Sequence, residues 1–310
     1  EPKPIEHKVS HCKLEMQVDS DKNLQYTEKE SIMIPPPLVG MSISLKCFRN
    51  SRGVNEIFAV GGVVNSSIDQ VGSSQDFKQN ITSFSMIRKL PHLPLPNQEI
   101  QIFEKEELLL REFMKKLLVV DPDFLIGHDL QENYLKVLVE RLKFFSISSI
   151  HNLGRLISKN TKKTYEHSNW ANRLLTYGRL LVDTFTISKE LLRETTYTLD
   201  HLTRRVLNKH RLQLEQEDYE KHYLDSLGIK RLVKHTENDA LLTFEIVMSL
   251  SVIPLTKQLT NIAGNLWARS LENARAERNE MLLIHEFNKR KFIWPDKTGY
   301  LKPETQKKKD

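Results

Sequence analysis

The hydrophobic pattern changes its period once in the first half of the chain, and this change constrains the fold more than any other feature. Apolar and polar side chains alternate over residues 38–48, and a second β-like run covers residues 56–64. Alternation with a period of two predicts strands, and the turn residues 50–53 between the runs predict a hairpin. From Glu104 the apolar residues recur at helical spacing, which predicts an amphipathic helix over residues 104–119.

Strands and helices are then expected to alternate. Asp121-Pro122-Asp123 ends the first helix, residues 124–127 predict a short buried strand, and residues 134–143 predict a second helix. Residues 180–183 predict a further strand, which a helix over residues 186–193 follows.

Later elements are expected to be helical. Thr198 is placed to cap a short helix, and residues 231–249 predict a long helix with Asp239 near its middle. A hairpin followed by alternating helices and strands indicates an α/β fold with a mixed central sheet flanked by helices.

Composition is typical of a folded protein. Hydrophobic residues make up 39% of the chain and charged residues 28%, and the formal net charge is +6. No apolar run approaches the roughly 20 residues that a membrane span needs, so we expect a soluble protein with no membrane partner. Cys12 and Cys47 are too few for a disulfide framework and predict buried thiols in a reducing compartment.

The predicted order of elements is that of a ribonuclease H-like nuclease. Such a nuclease holds two divalent ions with four carboxylates, because Mg²⁺ prefers hard oxygen ligands. Proofreading nucleases place two of these carboxylates in an Asp-x-Glu pair on the first strand, where a spacing of two puts both on one face. Residues 35–48 contain no carboxylate.

The same residues resemble the first exonuclease signature of the family B DNA polymerases. Residues 35–46 read Pro-Pro-Pro-Leu-Val-Gly-Met-Ser-Ile-Ser-Leu-Lys, and in this comparison Ser42 takes the place of the Asp and Ser44 that of the Glu. Two further segments resemble the same family: the lead-in that contains Cys12-Lys13-Leu14-Glu15, and residues 260–280 with Arg269. The resemblance implies a ribonuclease H-like (DnaQ-like 3′–5′ exonuclease) fold.

The second and third signatures of the family are also degenerate. In Gly127-His128-Asp129-Leu130-Gln131-Glu132-Asn133-Tyr134, Asp129 stands in the place of an Asn, and Tyr134 in the place of a ligand Asp. The third signature is Tyr-x-x-x-Asp, and here His235 replaces the Tyr while Asp239 remains. The resemblance therefore implies that one ligand of four survives, that the domain binds no metal and that it is catalytically silent.

Two other functions stay open at the level of sequence. Asp129, Glu132 and Asp183 could rebuild a metal site around Asp239, which would make the domain an active metal-dependent 3′–5′ exonuclease. Alternatively, the chain is a protein-interaction module unconnected with DNA. On its own, Asp239 is expected to be a hydrogen-bonded structural carboxylate, and Ser42 and Ser44 are expected to be strand residues on a half-polar face.

Positive charge is concentrated in one polar stretch and just beyond it. These side chains could neutralise DNA phosphates without reading bases, or they could be a solvated loop. They are Arg155, Lys159, Lys162, Lys163, Arg173 and Arg179. Arg269, Arg275 and Arg278 could form salt bridges or contact the DNA backbone in a similar way.

The resemblance also implies a domain plan and partners. Residues 1–34 would end an N-terminal domain, residues 35–250 would form the inactivated exonuclease-like domain, and residues 251–310 would be a helical passage into the polymerase palm. The parent chain would be a nuclear DNA-directed DNA polymerase that needs Mg²⁺ and deoxynucleotides. Its expected partners are DNA, the remaining polymerase domains, primase and an accessory subunit, and no cofactor is expected in residues 1–310 themselves.

Overall fold

A six-stranded sheet forms the centre of the protein in a computed structural model. The structure describes residues 7–12, 14–24, 36–50, 52–70, 80–89, 101–157, 174–212, 214 and 226–294. The strands are β1 (Leu38–Arg49), β2 (Asn55–Ile68), β3 (Ile81–Arg88), β4 (Gln101–Phe103), β5 (Phe124–Gly127) and β6 (Leu180–Asp183). They lie in the order β4-β3-β2-β1-β5-β6.

The sheet is mixed, as the sequence predicts. β1 and β2 form an antiparallel hairpin, and β3 extends it on the far side of β2. β5 and β6 continue the sheet from β1 in parallel, and β4 pairs with β3 in parallel. The predicted hairpin and the strands at 124–127 and 180–183 are therefore confirmed, whereas β3 and β4 were not predicted.

Helices flank this sheet. They are α1 (Glu106–Val120), α2 (Lys136–Phe144), α3 (Thr184–Leu191), α4 (Leu199–Leu202), α5 (Ser226–Ser249), α6 (Val252–Ala263), α7 (Trp267–Leu271) and α8 (Arg275–Lys289). No single described helix is long and apolar enough to cross a membrane; Leu227–Ser249 and Val252–Ala263 reach that length and composition only together, across a bend of 46°.

Helix boundaries differ from the predicted ones where local hydrogen bonds decide them. A π-helical turn, Leu130–Leu135, precedes α2, which therefore begins at Lys136 rather than at residue 134. α3 begins two residues earlier than predicted because the Asp183 carboxylate accepts a hydrogen bond from the Phe185 amide and caps the helix. In α1, Leu108 and Leu118 belong to the predicted helical repeat of apolar residues, but the structure leaves them exposed.

The two faces of β1 meet different layers. Met41, Ile43 and Leu45 are buried in the main core, which α1 and α2 complete with residues such as Phe113 and Leu138. The other face points to α5, and the sheet approaches that helix closely. A Cβ atom added at Gly61 of β2 would lie 3.0 Å from the carbonyl carbon of Thr236 in α5, so this position accepts only glycine without movement of the helix.

A buried ion pair joins the start of α1 to α2 within the main core. The Nε atom of Arg141 lies 2.8 Å from Glu106 Oε1, and its Nη2 atom lies 2.5 Å from Oε2. The amide of Ile57 in β2 also donates to Glu106 Oε1, at 2.8 Å. Both charged side chains are nearly fully buried, and their contacts connect α1, α2 and β2.

Candidate functional site

The degenerate exonuclease positions meet where β1 packs against α5. Ser42, Ser44 and Lys46 alternate with the core residues of β1 and are 0%, 1% and 5% exposed. The Oγ atom of Ser42 donates to the carbonyl oxygen of Ala240 in α5 at 2.7 Å. This face is therefore covered by the helix, whereas the sequence indicated a half-polar surface.

Asp239 of α5 is held by two cationic side chains. Its Oδ2 atom lies 2.5 Å from the Nζ atom of Lys46. Arg211 binds the same carboxylate with two donors, Nε at 2.6 Å from Oδ1 and Nη2 at 2.7 Å from Oδ2. The Asp239 side chain is 2% exposed, so both of its oxygens are occupied by donors of the protein itself.

These contacts keep Asp239 ionised. Burial by itself raises the pKa of Asp239, but the hydrogen bonds from Arg211 and the charge of Lys46 outweigh that effect and lower the pKa from 3.8 to about 2. Burial lowers the pKa of the Lys46 ammonium, and the contact with Asp239 opposes that shift. The carboxylate is thus a charged member of a buried cluster and is already neutralised by neighbouring cations.

His235 lies one helical turn before Asp239, at the position that the family signature gives to a tyrosine. Its Nε2 atom is 3.7 Å from Asp239 Oδ2, and its side chain is fully buried. Burial, and after it the charge of Lys46, lower the pKa of His235 from 6.5 to about 4. The imidazole is therefore neutral at physiological pH and adds no further positive charge to the cluster.

Ser44 contrasts with its neighbour Ser42. Its Oγ atom is buried and has no hydrogen-bond partner in the described part of the chain. A buried hydroxyl without a partner costs roughly 1–3 kcal/mol, and most buried polar atoms in proteins therefore find one. Ser44 thus carries a polar atom that none of the described side chains binds.

Tyr134 lies near the cluster without contributing a carboxylate. It sits in the π-helical turn, packs against the main core, and lines a pocket of about 300 Å³ together with Lys46, Cys47, Asn55 and other residues. The structure therefore brings Ser42, Ser44, Lys46, His235 and Asp239 to one place and Tyr134 to its edge.

The carboxylates proposed to rebuild a metal site are arranged differently. Asp183 caps two segments, because it accepts hydrogen bonds from the amides of Asp129, Leu130 and Phe185 at 2.9–3.0 Å. Burial, before any charge effect, raises the pKa of Asp183 from 3.8 to about 6. No group of three or more His, Cys, Asp or Glu side chains among the described residues could hold a metal ion.

The donor set therefore does not fit the two-metal chemistry of a proofreading nuclease. Such a site surrounds its ions with several carboxylates whose negative charge balances the metals. Among the residues that the structure describes, one carboxylate lies at the centre, and Lys46 and Arg211 already supply two positive charges to it. An added divalent cation would meet repulsion rather than ligands.

Two of the six basic residues predicted to contact DNA lie in an internal ion-pair network. Arg155 binds Asp121 and Asp123, both at 2.8 Å. Arg179 binds Asp121 at 2.7 Å, and its side chain is 0% exposed. Lys159, Lys162, Lys163 and Arg173 lie outside the described residues.

The three arginines of the helical passage are paired as well. Arg269 binds Glu272 and Glu277, and both Arg275 and Arg278 reach Glu190 of α3. Their contacts in the structure are salt bridges that hold α7 and α8 to each other and to α3.

Sequence reasoning missed Lys46 and Arg211 as members of the site. For Lys46 a signal was available, since a lysine on a strand face that becomes buried needs a carboxylate partner. Arg211 follows a short helical segment outside any predicted signature, and nothing in the local pattern connects it with Asp239.

Comparison with known proteins gives a consistent result. A sequence profile described as DNA polymerase family B, exonuclease domain, matches residues 1–202. Among curated proteins, the DNA polymerase alpha catalytic subunit of Sterkiella nova is 41% identical over 307 residues, which cover 92% of this chain and 20% of that protein. The same subunit of Oxytricha trifallax is 39% identical over 317 residues, covering 95% of this chain and 21% of that protein.

A relative of lower identity matches over a similar length. The DNA polymerase alpha catalytic subunit of Mus musculus is 31% identical over 316 residues, which cover 98% of this chain and 21% of that protein. The chain thus spans about a fifth of the length of the curated relatives that it matches.

Proposed function

Since the chain belongs to the family B DNA polymerases and carries their exonuclease domain, we propose that this domain is catalytically silent and serves as a scaffold within a replicative polymerase. The observation that carries the proposal is the state of Asp239. The only carboxylate that matches the family's ligand positions is buried and bound by Lys46 and Arg211.

Charge balance supports this proposal. Hydrolysis in a two-metal nuclease requires the ions to stabilise the attacking and the leaving oxygen, and the protein must supply enough negative charge to hold them. In the described part of the chain, the cluster around Asp239 contains one carboxylate, one ammonium and one guanidinium. Ser42, Ser44 and Tyr134 supply neutral hydroxyls, which cannot balance the positive charge of two divalent ions.

The burial of the degenerate exonuclease positions supports the scaffold role. Ser42, Ser44, Lys46, His235 and Asp239 are all at most 5% exposed. They connect the central strand β1 with the long helix α5, so they contribute to the packing of the domain. Contact with the DNA backbone stays a prediction from the sequence. Arg155 and Arg179 do not support it, because both form ion pairs within the protein.

For the whole protein we propose what the names of the relatives suggest. It would be a catalytic subunit with DNA-directed DNA polymerase activity that needs Mg²⁺ and deoxynucleotides and acts in the initiation of DNA replication. Primase and an accessory subunit would be its partners, and the nucleus would be its place of action.

We expect the purified chain not to shorten 3′-labelled single-stranded DNA, in Mg²⁺ or in Mn²⁺, because no metal can be held at Asp239. The measurement is gel electrophoresis of the labelled strand over time. Asp239→Ala defines the background level of shortening. Asp200→Ala, which removes a partly exposed carboxylate paired with Arg204, serves as a second control.

Stepwise shortening by the unaltered chain and by Asp200→Ala, lost in Asp239→Ala, would mean that the domain is an active nuclease with a rebuilt site. Equal, negligible shortening by all three proteins supports the silent domain.

A further inference from the structure

An open groove lies where the turn between β1 and β2, the end of β3, the start of α1 and the end of α2 come together. Its volume is about 680 Å³, and none of the residues that line it also lines the pocket beside Tyr134. The groove is therefore separate from the degenerate exonuclease positions.

Phe144, at the end of α2, lines this groove with an aromatic ring that is 70% exposed. Two neighbours hold the ring in place. The Arg141 guanidinium lies 4.6 Å from its centre, and the Phe145 ring packs edge-on with 4.9 Å between the two ring centres. A ring that is fixed and yet exposed loses little conformational entropy when a flat ligand stacks on it.

The negative charges that line the groove are largely balanced within the protein. Glu56, Glu106 and Glu107 each form an ion pair with an arginine, at 2.9, 2.5 and 2.8 Å. Glu104 is the fourth acidic residue of the groove, and no described residue forms an ion pair with it.

Positive charge remains available in the same groove. Arg52, Lys89 and Lys105 line it, and none of the three forms a salt bridge with a described residue. These three cations face the single unpaired carboxylate of Glu104, so the groove carries an excess of positive charge beside an exposed aromatic ring.

We propose that this groove binds single-stranded nucleic acid. A base stacks on the exposed part of the Phe144 ring, and Arg52, Lys89 and Lys105 neutralise phosphates of the same strand. This combination is independent of sequence, because every base has a face that can stack and every nucleotide carries a phosphate. The binding goes beyond the proposed scaffold role and requires no nuclease chemistry.

The side chains of the groove favour a single strand over the other classes of partner. Lysine is depleted where two proteins bury each other's surface, whereas Lys89 and Lys105 line the same groove as the exposed ring. A double helix fits less well, since its bases are stacked on one another and cannot lie on Phe144.

Fluorescence anisotropy of a labelled oligothymidylate of about 12 nucleotides, a length within the site sizes of single-strand-binding grooves, tests the proposal. EDTA is present throughout, so that metal-dependent cleavage cannot contribute. We expect Phe144→Leu to weaken binding about tenfold through the loss of one stacked base. The dependence of log Kd on log salt concentration is expected to stay the same in this variant.

Lys89→Ala/Lys105→Ala is expected to act on the salt dependence instead. Each phosphate contact with a single strand contributes about 0.7 to the slope, so the loss of two contacts reduces it by about 1.4. An abasic strand separates the two kinds of contact, because it should bind Phe144→Leu as tightly as it binds the unaltered chain.

Each variant has a matched control outside the groove. Phe292→Leu removes an aromatic side chain that is 60% exposed, and Lys230→Ala/Lys234→Ala removes two exposed cations from α5. Both controls are expected to bind the labelled strand nearly as tightly as the unaltered chain. The proposal is overturned if the unaltered chain does not bind the strand at low salt, if it binds a blunt duplex equally tightly, or if the controls lose as much affinity as the groove variants.

Discussion

Asp239→Ala is expected to lower the free energy of unfolding by about 3–5 kcal/mol at neutral pH, the range observed when one partner of a buried ion pair is removed. The Asp239 side chain is 2% exposed and the Lys46 side chain 6%, so the substitution leaves a buried ammonium without its carboxylate. Arg211 loses both of its contacts with the same residue. Urea unfolding followed by circular dichroism measures the change.

The sign of this change separates two kinds of site. In a metal-free nuclease, clustered carboxylates repel one another, and removal of one of them is neutral or stabilising. In this protein the carboxylate is the counter-ion of two cations, so its removal destabilises the fold. Glu286→Ala is the control, because an exposed pair such as Glu286 with Arg290 contributes far less to stability than a buried one.

Low pH is expected to reduce the difference in unfolding free energy between the unaltered chain and Asp239→Ala. The pKa of Asp239 is lowered from 3.8 to about 2, so its ion pairs stabilise the folded state fully above pH 3.8 and progressively less as the pH falls towards 2. The stability gap between the unaltered chain and Asp239→Ala should narrow in that window. A gap that is absent at pH 7, or that does not narrow in acid, would contradict the assignment of Asp239 as a buried counter-ion.

Arg141→Met is expected to lower the free energy of unfolding by a similar amount, about 3–5 kcal/mol, because it leaves the Glu106 carboxylate buried without a cation. Methionine keeps much of the side-chain volume, so loss of charge rather than a cavity dominates the effect. The substitution also removes the guanidinium that lies 4.6 Å from the ring centre of Phe144 and 5.1 Å from that of Phe145. Thermal and urea unfolding measure the loss.

Arg111→Met is the matched control for this prediction. Arg111 pairs with Glu107 on the exposed side of α1, one residue from Glu106, and its side chain is 48% exposed. Loss of such a surface pair changes stability by at most about 1 kcal/mol. Equal losses of unfolding free energy in Arg111→Met and Arg141→Met would contradict the claim that burial makes the Glu106–Arg141 pair more stabilising than a surface pair.

The sequence predicts the frame of the sheet well, because alternation and helical spacing report directly which side chains are buried. Strand β1, its hairpin with β2, helix α1 and the long helix α5 follow from such patterns. Strand β3 was missed because only its second half is buried, and β4 because it has only three residues. Such short or half-buried strands carry no clear period.

The chemistry of the site could be predicted only in part. Missing carboxylates in residues 35–48 are visible without any structure, and so is the surviving Asp239. The pairing of Lys46 with Asp239 spans 193 residues and depends on how α5 crosses the sheet, which no local pattern specifies. The same holds for the contrast between Ser42, which bonds to α5, and Ser44, which does not.

The proposed silence of the domain would have a physical reason in this fold. Ser42 and Lys46 connect β1 to α5 through a hydrogen bond and a buried ion pair, which stabilise the domain. Under the proposal, loss of nuclease activity and gain of packing would be two results of the same substitutions.

Titration of the unaltered chain with Mn²⁺, followed by electron paramagnetic resonance of the free ion, tests the central claim most directly. The account predicts that the free-ion signal rises with added Mn²⁺ in the same way for the unaltered chain and for Asp239→Ala, because Lys46 and Arg211 already occupy the carboxylate. Depletion of the signal by one or two ions per chain, lost in Asp239→Ala, would contradict it and show that this site still holds metal.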